Sequence, residues 1–308
     1  MDTRRIGSLE VSAVGLGCNN FGTRLDFYGS ASVVETALEA GVTIFDTADV
    51  SGAGRSEEFL GGVLAPHRSR VVIATKFGMD MGGGRKGARP EYVRRAVEAS
   101  LRRLRTDRID LYQLHRPDPE TPLADTLGAL NELVAGGQVR EIGCSCFTAA
   151  QLADARAAAG GGAKFASVQN EFSLLNREPE REVLAACERG GLAFLPYYPL
   201  ASGVLSGKYR PGARPPEGTR LATNADWARR FLTERNLAVA GALEAWAAAR
   251  GRTLLELAVS WLLARPVVAS VIAGASSPAQ VKANAAAGGW PLTAGDLAEI
   301  DQVMEAVQ

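Results

Sequence analysis

The chain has 308 residues, 46 % hydrophobic and 22 % charged, the composition of a globular protein able to bury a large core without disulfides or metal. Its 34 basic and 34 acidic side chains balance, so no global field favours nucleic acid or an anionic membrane, and any phosphate site must be a local pocket. Four cysteines (Cys18, Cys144, Cys146 and Cys187) and two histidines suit neither a disulfide framework nor a zinc site; they fit scattered buried thiols in a reducing cytoplasm.

Residues 1–12 read as an N-terminal hairpin, with Arg4, Ile6 and Val11 patterned as short strands, closing the bottom of the fold. From there short apolar runs alternate with amphipathic helical stretches. Strand 13–17 precedes helix 32–40, strand 43–46 precedes helix 55–64, and strand 71–75 precedes helix 90–104. Strand 109–114 leads to helix 123–135, strand 139–144 to helix 149–159, and strand 167–169 to helix 178–189. After strand 193–196 comes a long loop, 200–232, rich in Gly, Pro and Arg, and then helix 233–250. Strand 268–273 and helix 278–287 complete the alternation, with additional helices at 254–264 and 293–305. Gly41, Gly136 and Gly190 follow helices as C-caps, and Arg89-Pro90-Glu91 opens one.

Eight such units favour a closed barrel over a doubly wound open sheet. The expected fold is α/β: a (β/α)8 TIM barrel with an N-terminal β-hairpin and extra C-terminal helices, in one domain spanning 1–308. A loop as long as 200–232 is expected to serve as a lid or cofactor loop. The glycines at 82–84 with Arg85 and Lys86 fit neither a P-loop nor a dinucleotide fingerprint, and read as a mobile loop. No basic-then-apolar leader pattern opens the sequence, and the longest apolar stretch, 254–264, contains Glu256 and is too short for a bilayer. A cytoplasmic protein with no nucleic-acid or membrane partner is expected; its oligomeric state is not written in the sequence.

Barrel active sites lie at the C-terminal ends of the strands. Here those ends carry Asp46, Lys76 and His115, then Ser145-Cys146, Gln169-Asn170 and Tyr197-Tyr198. Singly, each of the first three has an ordinary reading: Asp46 as a turn cap, Lys76 as a solvated strand terminus, His115 as a hydrogen-bonded rim residue. On three consecutive strand ends they point to an acid–base constellation.

At these residues the chain resembles the aldo-keto reductase family in its long-chain bacterial form. The resemblance is carried by Gly41-Val-Thr-Ile-Phe-Asp-Thr-Ala-Asp49 with Ser56-Glu57-Glu58, Val72-Ile-Ala-Thr-Lys-Phe-Gly78, and Asp110-Leu-Tyr-Gln-Leu-His115. It continues through Val168-Gln-Asn-Glu171, Pro196-Tyr-Tyr-Pro-Leu-Ala-Ser-Gly203 with Gly207-Lys-Tyr209, and Gly274-Ala-Ser-Ser-Pro-Ala-Gln280 up to Asn284. It implies NADP(H) as cofactor and hydride transfer to a small carbonyl substrate, with a tyrosine protonating the oxygen. Lysine and aspartate lower that tyrosine's pKa, and a histidine orients the substrate. The matching positions are Asp46, Lys76 and His115, but the tyrosine's place is held by Ser51. A serine hydroxyl is a far weaker acid than a phenol and is shorter by a ring. A water polarised by Lys76 and His115, or the phenol of Tyr28, is a conceivable substitute.

The resemblance further implies a cofactor site of Asn19, Asp46, Ser145, Cys146, Gln169, Tyr197, Pro199, Leu200, Ser202, Gly203, Lys208, Gly274, Ser276, Gln280 and Asn284. Cys146 departs from the family's asparagine, a thiol being a weak hydrogen-bonding partner. Gln280 stands where some relatives have arginine, and Lys282 is positioned to compensate for it. Substrate choice is expected from the loops 21–28, 79–88 and 214–227, with Trp227 and Phe231 either lining the pocket or packed beneath the lid. An impaired NADP(H)-dependent reductase is the leading expectation. A redox-silent NADP(H)-binding protein, or non-redox chemistry using Lys76 and His115, are the alternatives.

Overall fold

The computed structural model describes residues 1–307; Gln308, the end of the expected domain, lies outside the described residues. The chain opens with an antiparallel hairpin, β1 (Thr3–Ile6) against β2 (Leu9–Ser12). Eight strands come after it: β3 (Val14–Gly17), β4 (Ile44–Asp46), β5 (Val72–Phe77), β6 (Ile109–Leu114), β7 (Val139–Ser145), β8 (Ser167–Glu171), β9 (Ala193–Tyr197) and β10 (Val271–Gly274). They pair in parallel in the order β10-β3-β4-β5-β6-β7-β8-β9. A parallel bridge between Phe194 and Val268 joins β9 to the segment leading into β10, with the Phe194 amide donating to Val267 O at 2.7 Å. The result is the expected TIM barrel with its N-terminal hairpin.

The helices are α1 (Phe27–Glu39), α2 (Arg55–Leu64), α3 (Pro90–Leu104), α4 (Leu123–Ala135), α5 (Ala149–Ala158), α6 (Val183–Gly190), α7 (Arg220–Thr223), α8 (Ala225–Phe231), α9 (Glu234–Ala248), α10 (Leu254–Leu263), α11 (Pro278–Ala286) and α12 (Ala294–Glu305). Helix α3 buries Tyr92, Val93, Ala96, Val97, Ser100 and Leu104, one helical stripe laid on the barrel. Helix α10, the longest apolar run, is buried almost all round, which accounts for its composition. No helix of the described residues is long and apolar enough to cross a membrane.

Several expectations need correction. Helix α1 begins at Phe27 because the Asp26 carboxylate caps it, accepting from Gly29 N at 2.8 Å. The expected helix 178–189 is a 3-10 turn, Glu178–Glu180, followed by α6. The stretch 200–232 is more ordered than a plain loop: it holds a 3-10 turn at Ala201–Ser206, then α7, then α8 capped by Asn224. Gly136 caps α4 as expected, whereas Gly190 is the last residue of α6 and the left-handed Gly191 caps it. Near 82–84, Arg85 donates to the carbonyls of Gly82 and Met81, so its charge closes its own turn.

Two cores result. The larger lies between barrel and helices. The smaller fills the barrel floor, where Ile6, Leu9 and Val11 of the hairpin pack against Ile44, Ala74, Leu111, Leu195 and Ile272. The hairpin is thus a plug that keeps water out of the barrel from below. Arg4 holds it there, donating to Leu263 O at 2.7 Å at the end of α10 and to Val268 O at 2.5 Å and Arg265 O at 3.3 Å in the segment that follows. Hydrogen bonds from a charged donor contribute about 1.5–3 kcal/mol each. Arg4→Ala is therefore expected to lower the melting temperature by several degrees, with exposed Arg5→Ala as the neutral control; equal melting curves would remove the clamp.

Candidate active site

Strand alternation builds the site. Residues two apart point to the same side of a strand, so the apolar Ile44, Ala74, Leu111 and Leu195 of the floor are followed one layer up by Asp46, Lys76, Gln113 and Tyr197. Ser145 and Gln169 extend this layer, paired in register across β7 and β8. Gly143 is required here: a Cβ there would lie 2.6 Å from Ser167 Oγ and 3.1 Å from Gln113 Cγ.

Asp46 and Lys76 are both buried and form the centre of the layer. Lys76 Nζ donates to both carboxylate oxygens at 2.7 Å and to Thr47 O at 2.9 Å, which uses all three of its hydrogens. Asp46 Oδ1 also accepts from Gln169 Nε2 at 3.0 Å and Gln113 Nε2 at 3.3 Å. Gln113 escaped the sequence reading because it sits inside an apolar strand.

These residues open onto one cleft of about 850 Å³, lined by Asp46, Ser51, Lys76 and His115. Every expected cofactor residue also lines it: Asn19, Ser145, Cys146, Gln169, Tyr197, Pro199, Leu200, Ser202, Gly203, Lys208, Gly274, Ser276, Gln280 and Asn284. Ser51 starts a tight turn in which Ala53 takes φ +56, a costly conformation for a residue with a Cβ. Burial, then Lys76 and Arg116, push the His115 imidazole down to about 3, so it is neutral at physiological pH; its Nδ1 is buried without a partner. Tyr28 is 81 % exposed, outside the cleft, so it is not a substitute phenol.

Cys146 has φ +61 and places Sγ 3.6 Å from both Ser145 Oγ and Tyr197 OH. Burial, then the neighbouring Cys146, raise the Tyr197 phenol, which stays neutral. The expectation of four buried thiols therefore holds for Cys18, Cys144 and Cys187 alone.

The opposite end of the cleft is cationic. Lys208, Arg24 and Arg220 gather there, and burial, then the two arginines, lower the Lys208 ammonium. Arg220 donates to Asn20 Oδ1 at 2.8 Å and Asn19 Oδ1 at 3.2 Å, while Arg24 reaches Gly218 O. Neither arginine was anticipated, because residues this far apart in the chain come together only through the fold. Beside them Ser202 Oγ is buried without a partner, and Gly203, at φ +97, leaves no room for a Cβ, which would lie 2.7 Å from Lys208 Nζ.

At the start of α11 the Gln280 side chain accepts from Ser276 N at 2.8 Å, and Lys282 is exposed and turned from the cleft. Trp227 lines the cleft while Phe231 is buried behind it. Loop 79–88 contributes no residue to this cleft; Asp80, Met81 and Arg85 line a separate depression.

Comparison with known proteins agrees with this architecture. Residues 13–305 match the aldo/keto reductase family. The aldo-keto reductase YhdN of Bacillus subtilis is 32 % identical, over 96 % of this chain and 91 % of that protein. Versiconal hemiacetal acetate reductase of Aspergillus parasiticus is 34 % identical over 86 % of each. The structure of a glycerol dehydrogenase from Gluconobacter oxydans superposes with a TM-score of 0.86 at 30 % identity, covering 99 % of this chain and 95 % of that one. The chain belongs to the aldo/keto reductase family of oxidoreductases.

Behind the cleft lies an acidic group that sequence reasoning missed, although Glu57 stands in the Ser56-Glu57-Glu58 motif. Glu57 accepts from Thr75 Oγ1 at 2.6 Å and Arg103 Nε at 2.7 Å, but the buried Asp49 Oδ1 has no partner. Burial, then Glu57, push the Asp49 carboxyl up to about 7. A carboxyl raised on folding binds its proton more tightly in the native state, so its contribution is present below the unfolded pKa of 3.8 and lost as pH rises toward 7. Asp49→Asn should therefore melt higher than the parent at pH 8, by on the order of a few kcal/mol of stability, and lose that advantage at acid pH. A pH-independent difference would mean that Asp49 does not titrate in this window.

Proposed function

We propose that this protein transfers hydride between NADP(H) and a small aldehyde or ketone, slowly, because Ser51 stands where a phenol would donate the proton. The observation that carries the reading is a single cleft that joins the buried Asp46–Lys76 pair and neutral His115 to a far end of cations without ion pairs. The donor set suits a phosphorylated dinucleotide: Lys208, Arg24 and Arg220 supply positive charge, and Ser202 Oγ a free hydroxyl. Ser276, Gln280, Asn284 and Gly274 would hold the adenosine end. Tyr197, Cys146, Ser145, Gln169 and Asn19 would hold the nicotinamide end, with Pro199, Leu200 and Gly203 covering the pyrophosphate. A reduced nicotinamide supplies the hydride.

The chain's own work is to orient the carbonyl with His115 and to bring a proton to its oxygen. Ser51 cannot do the second well, and Lys76 has no spare hydrogen to polarise a water there. Positioned proton transfer contributes about 10²–10⁴ in rate. Ser51→Tyr is accordingly expected to raise NADPH oxidation with small aldehydes by about two to four orders of magnitude. A tyrosine form that stays inactive across a broad carbonyl panel would end the reductase reading.

The same saturation of Lys76 favours a second reading, a redox-silent NADP(H)-binding protein. It predicts tight cofactor binding with no turnover in either form. Lys208→Ala separates cofactor binding from chemistry: fluorescence titration should give a Kd for NADPH higher by about tenfold or more, with a smaller effect on NADH only if the lysine meets the extra phosphate. An unchanged Kd would place the phosphates elsewhere.

A further inference from the structure

One cation of the cleft has no employment in the reductase site. Lys76 is spent on Asp46, Arg230 on Glu171, and Arg24, Arg220 and Lys208 cluster at the phosphate end. Arg116 follows His115 directly, lines the same cleft, and is exposed; among the described residues it forms no ion pair and donates no hydrogen bond. It is the chain neighbour of His115 and its charge lowers the His115 imidazole, which places it beside the group that would meet the carbonyl.

We propose that Arg116 selects carbonyl substrates bearing an anionic group, a carboxylate or a phosphate. This rests on the reductase reading of the cleft. A guanidinium offers a planar fork of donors that matches two oxygens of either anion. No acid beside Arg116 competes for that fork, and the Tyr198 hydroxyl lies within reach of its field. The aromatic wall of Tyr198 and Trp227, in edge contact with ring centroids 5.0 Å apart, would cover the carbon skeleton between the anion and the carbonyl. Orientation would then come from both ends of the substrate, the carbonyl at His115 and the anion at Arg116.

The test uses matched pairs on the full chain and on Ser51→Tyr: para-formylbenzoate against its methyl ester, and glyceraldehyde phosphate against glyceraldehyde. The charged member of at least one pair should show kcat/KM higher by roughly tenfold or more, carried by KM; which pair responds tells carboxylate from phosphate. Arg116→Gln should collapse that ratio to near one, and Arg116→Lys should restore part of it. Binding of the product para-hydroxymethylbenzoate and its ester, by calorimetry with and without NADP, needs no turnover. If the reductase reading fails, a charge preference lost in Arg116→Gln still supports the anion site. Equal handling of charged and neutral members, or a preference that survives Arg116→Gln, overturns it.

Discussion

The structure turns on a single buried ion pair. Removing a carboxylate and an ammonium from water costs several kcal/mol each unless every donor and lone pair is met. Here the lysine gives all three hydrogens, two to Asp46 and one to Thr47 O, and the aspartate also takes the amides of Gln113 and Gln169. Four strands, β4, β5, β6 and β8, are thereby tied at one level. Their register cannot slip by one residue without turning these groups into apolar surroundings. The hairpin plug closes the barrel below the pair, and the amides around it fix its geometry where it faces the cleft.

That constraint divides the cleft electrically. At the barrel axis the charges cancel, whereas toward α11 and the strap of α7 and α8 the cations Lys208, Arg24 and Arg220 form no ion pair among the described residues, although Glu217 lines the same end. A balanced whole-chain charge hides this local excess. Field lines focused by low-dielectric walls act on a ligand more strongly than the same charges spread over a surface. The strap is held across the cleft by hydrogen bonds from Arg24 to Gly218 and from Arg220 to Asn19 and Asn20. Residues far apart in the chain thus close over the same ligand space.

Much of this was legible in the amino-acid order. Two-residue alternation fixes which side chains leave each strand end, so Asp46, Lys76, His115, Ser145, Gln169 and Tyr197 could be placed together from the sequence alone. What stayed hidden depends on three-dimensional meeting. Gln113 looks like one polar residue in an apolar strand until its amide is seen on Asp46. Arg24, on a loop, and Arg220, at the start of α7, meet only through tertiary contacts. Asp49 and Glu57 become neighbours only when a left-handed turn at Gly52–Gly54 folds α2 back under β5. Tyr28 misled because the Asp26 cap starts α1 early and turns that phenol to solvent.

On the reductase reading, Ser51 leaves the Asp46–Lys76 pair intact but without a phenol to serve. In a lysine–aspartate pair that serves a phenol, one ammonium hydrogen must face the phenol oxygen to stabilise its anion. Here the third ammonium hydrogen is bonded to Thr47 O instead. Satisfaction of the buried charge and activation of an acid are therefore competing uses of the same hydrogen. On the reductase reading, restoring the phenol must win back that bond from a backbone carbonyl held at 2.9 Å. The gain in acidity is then offset in part by about the 1 kcal/mol that an ordinary hydrogen bond contributes.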